Sequence, residues 1–149
     1  MRIHKWNFLL SLFFVVLVLY SVWYLIADRS LYYAVPVRDL VLMGLAIFRF
    51  TRLFTYDVIT QFIRDWFVGA RKDSFRHTLG ALLDCPWCTG LWFSWFVVFF
   101  YFAAPVVAWP IILIMALASG ASFFQLIANW VGWSAELKKM ETKSFEQLP

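Results

Sequence analysis

Charged residues are scarce in this chain, and long parts of it carry none. Only 15% of its 149 residues are Asp, Glu, Lys or Arg, whereas 63% are hydrophobic. An ordinary soluble domain is roughly 45–50% apolar, and a soluble fold of this composition would expose large apolar patches to water. The composition therefore indicates a protein surrounded by lipid, with residues 1–149 forming one integral membrane domain.

Residues that usually carry chemistry are equally few. The chain has two cysteines, two histidines and six glycines. No segment resembles a phosphate-binding glycine loop, a catalytic triad or a paired-carboxylate site. The net charge of +4 comes without a basic stripe interleaved with aromatics, so nucleic acid is not an expected partner. In a membrane protein, such basic residues more often mark the cytoplasmic side.

Two uncharged runs predict three membrane helices. Residues 7–27 can cross a hydrocarbon core of about 30 Å at about 1.5 Å per residue. They are too long for a signal peptide and precede no small-residue cleavage site, so we expect a retained span. Residues 91–130 are about twice the length of one span, and Pro105 and Pro110 favour a reversal within them. The predicted spans of this run are about 89–107 and 110–130.

A fourth span, at about residues 36–56, is predicted from charge asymmetry. Its uncharged core is short and is followed by Arg49 and Arg52, so a re-entrant or interfacial helix is the alternative. With this span both termini lie in the cytoplasm, and only Arg29 and Arg38 lie outside, as the positive-inside rule requires. The basic residues placed inside are Arg2, Lys5, Arg64, Arg71, Lys72, Arg76, Lys138, Lys139 and Lys143.

Three further segments complete the predicted layout. Apolar residues recur at helical spacing over residues 58–68, which indicates an amphipathic helix on the cytoplasmic interface. A shorter helix is expected at about residues 74–83, and the charged tail, residues 134–149, is expected to be frayed and cytoplasmic. The small residues 119–122 offer a strip where another helix could approach closely, which favours a homo-oligomer.

Both cysteines lie in one turn, Cys85-Pro86-Trp87-Cys88, directly before the third predicted span. A C-x-x-C at a helix start can act in thiol–disulfide exchange, because the helix N-terminus lowers a thiol pKa. The same spacing can supply half of a zinc site, with His77 as a further ligand and His4, an aspartate or a second copy completing it. The third interpretation is packing alone, with the cysteines as small buried residues.

Arg49 and Arg52 form the second candidate group. An arginine within the bilayer is expensive and is a functional candidate by default. We expect Arg52 to reach lipid phosphates and Arg49, which lies deeper, to have a partner within the protein. Asp57 is one candidate partner, but its position before the amphipathic helix favours a role as N-cap.

The two motifs together resemble a known family. Arg49-Phe50-Thr51-Arg52-Leu53, with Asp57 and Thr60 downstream, and the turn from Cys85 to Trp92 are similar to a bacterial and phage membrane family catalogued as domain of unknown function 1360. That family pairs an R-x-T-R-L helix and a nearby aspartate with a C-P-x-C-x-G-x-W turn that opens a membrane helix. The resemblance covers about residues 40–109. It implies a membrane location, with links to sporulation or phages and no established activity.

The sequence thus predicts an all-α fold of about four membrane helices and one interfacial helix, in the inner membrane. The leading functional hypothesis is a non-enzymatic scaffold or accessory protein whose partners are lipid and either its own copies or another membrane protein. A membrane thiol–disulfide oxidoreductase using Cys85 and Cys88 is one alternative. A phage-type pore former is the other, although residues 91–130 lack a polar stripe.

Overall fold

The computed structural model describes residues 5–28, 34–71 and 74–146, with side chains described as far as residue 140. Several charges used in the predicted topology lie outside this description. They are Arg2, Arg29 and Lys72, together with the side chain of Lys143. His4, the candidate zinc ligand, also lies outside it.

Every regular element in the described residues is helical, which confirms the all-α class. The order along the chain is α1 (Lys5–Ala27), α2 (Val37–Thr55), a 3₁₀ turn (Val58–Thr60) continuing into α3 (Gln61–Phe67), α4 (Phe75–Asp84), α5 (Pro86–Ala103) and α6 (Pro105–Glu146). Helix α4 begins where the Ser74 side chain accepts a hydrogen bond from the His77 N–H at 3.1 Å. This is the usual way to satisfy an exposed donor in a first helical turn.

Three of the described helices are long and apolar enough to cross a membrane. They are α1, α5 and the part of α6 over Pro105–Met140. Helix α2 has the length but also carries Arg38, Asp39, Arg49 and Arg52 within 19 residues. The structure therefore contains three clear candidate spans, and the charge on α2 separates it from them.

The reversal between the last two helices differs from the prediction. Helix α5 ends at Ala103 and α6 begins at Pro105, so Ala104 alone joins them and the predicted boundaries at 107 and 110 are wrong. Both prolines lie inside α6. Pro105 occupies the first helical position, where its missing N–H costs nothing. Pro110 removes one early backbone bond, to the carbonyl of Val106, and the helix continues through it.

The predicted frayed tail is also wrong, because α6 continues without a break to Glu146. The amphipathic segment agrees better with its prediction. The 3₁₀ turn and α3 cover Val58–Phe67, and their apolar side chains Val58, Ile59, Phe62 and Trp66 are exposed. The chain therefore has an uncovered apolar face immediately after α2.

Helix α2 lies at the centre of the fold, against α5 and α6. The buried cluster consists of Met43 and Ala46 of α2, Val97 of α5, and Ala108 and Ile112 of α6. Further along the same face of α6, Ser119 is fully buried and Phe123 stacks on Phe48 of α2 at 5.3 Å. Part of the small-residue strip is thus used for packing within the chain.

A polar contact ties the start of α2 to the end of α5. The Tyr101 hydroxyl donates to Asp39 Oδ2 at 2.7 Å, and the Arg38 Nε–H donates to Asp39 Oδ1 at 3.1 Å. Asp39 is 8% exposed, whereas the Arg38 side chain is 76% exposed. A nearly buried carboxylate is tolerated here because both of its oxygens accept hydrogen bonds.

Candidate functional site

The two sequence motifs meet where α2 ends and α5 begins. A Cβ placed on Gly90 would lie 3.4 Å from the Thr51 hydroxyl, so α5 approaches α2 closely at this point. The Thr51 hydroxyl itself donates to the Ile47 carbonyl at 2.8 Å. Beside this contact, the rings of Phe50 and Phe93 stack at 5.3 Å. The arginine motif and the cysteine motif therefore form one continuous site, called here the motif junction.

Arg49 has a partner within the protein. Its Nη2 lies 3.0 Å from Oδ2 of Asp57, and the two side chains are 25% and 23% exposed. The side chain of Asp57 makes no capping hydrogen bond to the 3₁₀ turn that it precedes, so the predicted N-cap role is wrong. The reason is geometric, because the bend after Thr55 returns Asp57 to the side of α2 that carries Arg49.

Arg52 lies between two aromatic rings. Its guanidinium carbon is 5.9 Å from the ring centroid of Phe48 and 5.9 Å from that of Tyr56. Such cation–π contacts contribute about 0.5–1 kcal/mol at partly exposed sites. The side chain is held in place without a described acidic partner, which leaves its N–H groups able to meet an anion.

Arg64 closes the end of α2, a role that no residue pattern predicts. Its Nη1 donates to the carbonyl of Phe54 at 3.0 Å, and its Nη2 donates to the carbonyl of Asp57 at 3.0 Å. Nη1 also lies 3.1 Å from the hydroxyl of Thr60, which in turn donates to the carbonyls of Leu53 and Asp57. The last carbonyls of a helix have no partner within it, so these donors replace the missing bonds.

The cysteine turn starts α5 by side-chain capping. Cys85 is the N-cap residue, its sulfur accepts from the Cys88 N–H at 3.3 Å, and Pro86 occupies the first turn. Thr89, which is nearly fully buried, donates its hydroxyl to the Leu82 carbonyl at 2.7 Å and so joins the start of α5 to the end of α4. Cys85 is the only residue between these two helices.

Both thiols are free, Cys85 half-buried and Cys88 exposed. Hydrogen bonds from the Cys88 side chain and from the Cys88 N–H lower the pKa of the Cys85 thiol below its ordinary value. Cys85 is therefore the more readily ionised of an adjacent pair, as a thiol at a helix N-terminus is expected to be.

His77 does not complete a metal site with the cysteines. Among the described residues, no group of three or more His, Cys, Asp or Glu side chains is placed to hold a metal ion. His77 instead lines a cavity of about 240 Å³ between α3 and α4, with Arg64 and Asp84. The set Cys85, Cys88 and His77 predicted for zinc is therefore not assembled within the described part of the chain.

The chain matches a protein family of unknown function, and the matched segment includes the motif junction. Residues 42–128 match the family described as "Protein of unknown function (DUF1360)". This segment contains α2 from residue 42 onwards, all of α3, α4 and α5, and about the first half of α6. No solved structure matches the chain.

Two curated relatives come from Bacillus subtilis strain 168. "Sporulation protein YjcA" is 29% identical over 109 residues, which cover 62% of this chain and 92% of YjcA. "UPF0713 protein YngL" is 30% identical over 96 residues, which cover 57% of this chain and 74% of YngL. Neither name states a biochemical activity.

Proposed function

We propose that this chain, which belongs to the DUF1360 family, is a non-enzymatic accessory protein of the membrane. The names of its relatives state no biochemical activity that could be transferred to it. The observation that carries the proposal is that several polar groups at the motif junction already have partners within the chain. Arg49 pairs with Asp57, Arg64 holds backbone carbonyls, and Thr51 packs on Gly90. Such contacts stabilise a surface, whereas a catalytic site leaves its polar groups directed at substrate.

Helix α2 is the fourth membrane span in this proposal. It is antiparallel to α5, meeting it at Asp39–Tyr101 near one end and at Thr51–Gly90 near the other. These contacts are twelve residues apart on α2, or about 18 Å at 1.5 Å per residue. Since α5 is itself a candidate span, a helix packed along it over that length lies within the same hydrocarbon layer. Arg49 is paired with Asp57, and Asp39 accepts from Arg38 and Tyr101, which lowers the cost of placing these charges in the membrane.

The motif junction lies on the cytoplasmic side in this arrangement. The exposed apolar residues of α3 rest in the interface, and Arg64, Arg71 and Arg76 lie on the same side, as the positive-inside rule favours. Helix α6 then crosses back, and Lys138 and Lys139 also reach the cytoplasm. Both termini are cytoplasmic.

Reporter fusions test this topology. A fusion inserted at Ala104 is expected to report an extracytoplasmic position, and fusions after Arg71 and after Lys139 a cytoplasmic one. The decisive comparison is between a fusion before Lys5 and the one after Arg71. If these two report opposite sides, α2 does not cross the membrane, and the four-span arrangement is contradicted.

The process served by this protein is proposed to be spore formation, by similarity with YjcA. We expect the full chain to raise the number of heat-resistant spores in a Bacillus subtilis strain that lacks YjcA. The variant with Cys85→Ser and Cys88→Ser is expected to do so equally, because a serine hydroxyl can still cap α5. The Arg49→Leu variant is expected not to raise the number of heat-resistant spores, because loss of the Arg49–Asp57 pair disrupts the motif junction.

The cysteine variant decides between function classes. Loss of complementation at an unchanged protein level in the membrane would contradict a non-enzymatic role and favour thiol–disulfide exchange. Failure of the unaltered chain to complement, at normal membrane levels, would contradict the assignment to this process.

A further inference from the structure

A cavity of about 430 Å³ lies between α1, α4 and α5, on the side of the cysteine motif that faces α1. Its volume falls in the range of about 300–1,000 Å³ that is typical of small-molecule sites. The lining includes Asn7, Ser11 and Phe14 of α1, Leu82 of α4, and Cys88 and Trp92 of α5. Since α1 and α5 are both candidate spans, the cavity lies where two membrane helices enter the bilayer.

Two aromatic contacts hold the cavity open. The rings of Trp6 and Phe75 meet at 5.5 Å and fix the start of α1 to α4. The rings of Phe14 and Trp92 meet at 4.8 Å and fix α1 to α5. Trp6 and Phe14 are eight residues apart, or about 12 Å along the helix. Between these bulky contacts α1 cannot close onto its neighbours, and the space remains.

The lining is mostly apolar, and Leu10, Ala81 and Leu82 lie among its few polar side chains. Asn7 and Ser11 of α1, and Thr78 of α4, are polar and lie towards the helix starts. Phe14, Val15 and Leu91, further along their helices, are apolar. Water needs two to four polar partners and does not fill an apolar space well. An empty cavity is also costly, because its walls lose their packing contacts.

We propose that this cavity binds one acyl chain of a phospholipid from the cytoplasmic leaflet. The chain lies against Phe14, Leu91 and Trp92, and the glycerol esters lie level with Asn7 and Ser11, which can donate hydrogen bonds. Lys5, in the first turn of α1, supplies positive charge near the phosphate. The inference goes beyond the accessory role, and only the choice of leaflet rests on the proposed orientation.

Photo-cross-linking tests the proposal on the full chain. The protein is reconstituted in vesicles of phosphatidylglycerol and phosphatidylethanolamine, a fraction of the latter carrying a diazirine in its acyl chain. After illumination, cross-links per residue are expected to be about fivefold more frequent at the cavity lining than at Phe124 and Ile127, which are exposed on α6, because a bound chain dwells longer than bulk lipid. Equal labelling of both regions would overturn the proposal.

A matched pair of variants sharpens the test. Ser11→Trp places a large ring in the cavity and is expected to lower cross-linking at its lining about tenfold, equivalent to a loss of about 1.4 kcal/mol of binding. Leu12→Trp adds the same ring at a neighbouring position that does not line the cavity, and is expected to leave cross-linking unchanged. Undiminished labelling in folded Ser11→Trp protein would also overturn the proposal. Should that variant fail to fold, the comparison within the unaltered chain still decides. Cross-link positions do not depend on which leaflet supplies the lipid, so an inverted topology would be recognised separately.

Discussion

Replacing Arg64 with leucine is expected to lower the free energy of unfolding by about 3 kcal/mol, since bonds to charged donors contribute about 1.5–3 kcal/mol each and overlap in effect. The substitution removes the donors that serve the carbonyls of Phe54 and Asp57. The Phe54 carbonyl lies in the last turn of α2, where carbonyls have no partner within the helix, whereas the Asp57 carbonyl, just beyond α2, keeps the Thr60 N–H as a second donor at 3.4 Å. The measurement is equilibrium unfolding in mixed detergent micelles.

The position of the destabilised residues distinguishes loss of this cap from the effect of removing any arginine. Amide hydrogen exchange should increase at Tyr56 and Asp57, whose N–H groups both donate to the Arg52 carbonyl. Arg76→Leu is the matched control, because Arg76 contacts only the ring of Trp66 among its described partners, at 5.6 Å. We expect it to cost under about 1 kcal/mol. Equal costs for the two variants would contradict the capping role of Arg64.

The second large loss of stability is expected when the ion pair between Arg49 and Asp57 is broken. Arg49→Leu leaves the Asp57 carboxylate without its cation and is expected to cost about 2–3 kcal/mol, below the 3–5 kcal/mol typical of fully buried pairs because both groups are about a quarter exposed. Arg52→Leu removes ring contacts only and is expected to cost under about 1 kcal/mol. Both are measured by the same unfolding assay.

A double variant isolates the pair from the separate side chains. Arg49→Leu combined with Asp57→Leu removes both charges, so its cost should be smaller than the sum of the two single costs by at least about 1 kcal/mol. Additive costs would mean that the two charges do not interact, despite the 3.0 Å separation between them.

Hydropathy and periodicity predict the helices because both depend only on the local order of apolar and polar residues. The predicted spans 7–27 and 36–56 lie within two residues of α1 and α2 at each end, and the predicted interfacial segment 58–68 covers the 3₁₀ turn and α3. The predicted position of the α5–α6 joint is wrong for a different reason. Pro105 and Pro110 are equally good stop signals in the sequence, and which one begins the helix is decided by the packing of Ala108 and Ile112 on α2.

The junction is less accessible to sequence reasoning. Asp57 is a suitable N-cap and a suitable partner for Arg49, and only the bend after α2 decides between these roles. Arg64 donates to backbone carbonyls seven and ten residues earlier. Backbone acceptors exist at every residue, so nothing in the residue types marks those two. The contact between Thr51 and Gly90 likewise depends on how α2 and α5 pack, which local pattern does not specify.

The single-residue joint at Ala104 constrains how the chain reaches its membrane. Two long apolar helices joined by one residue cannot occupy water and lipid separately, because the backbone between them has no length to span a headgroup layer. In the topology proposed above, helices α5 and α6 therefore enter the membrane as a pair. A lysine introduced at Ala104 would have to cross the hydrocarbon at the tip of this pair. We therefore expect it to keep both helices on the cytoplasmic side, where the chain is synthesised.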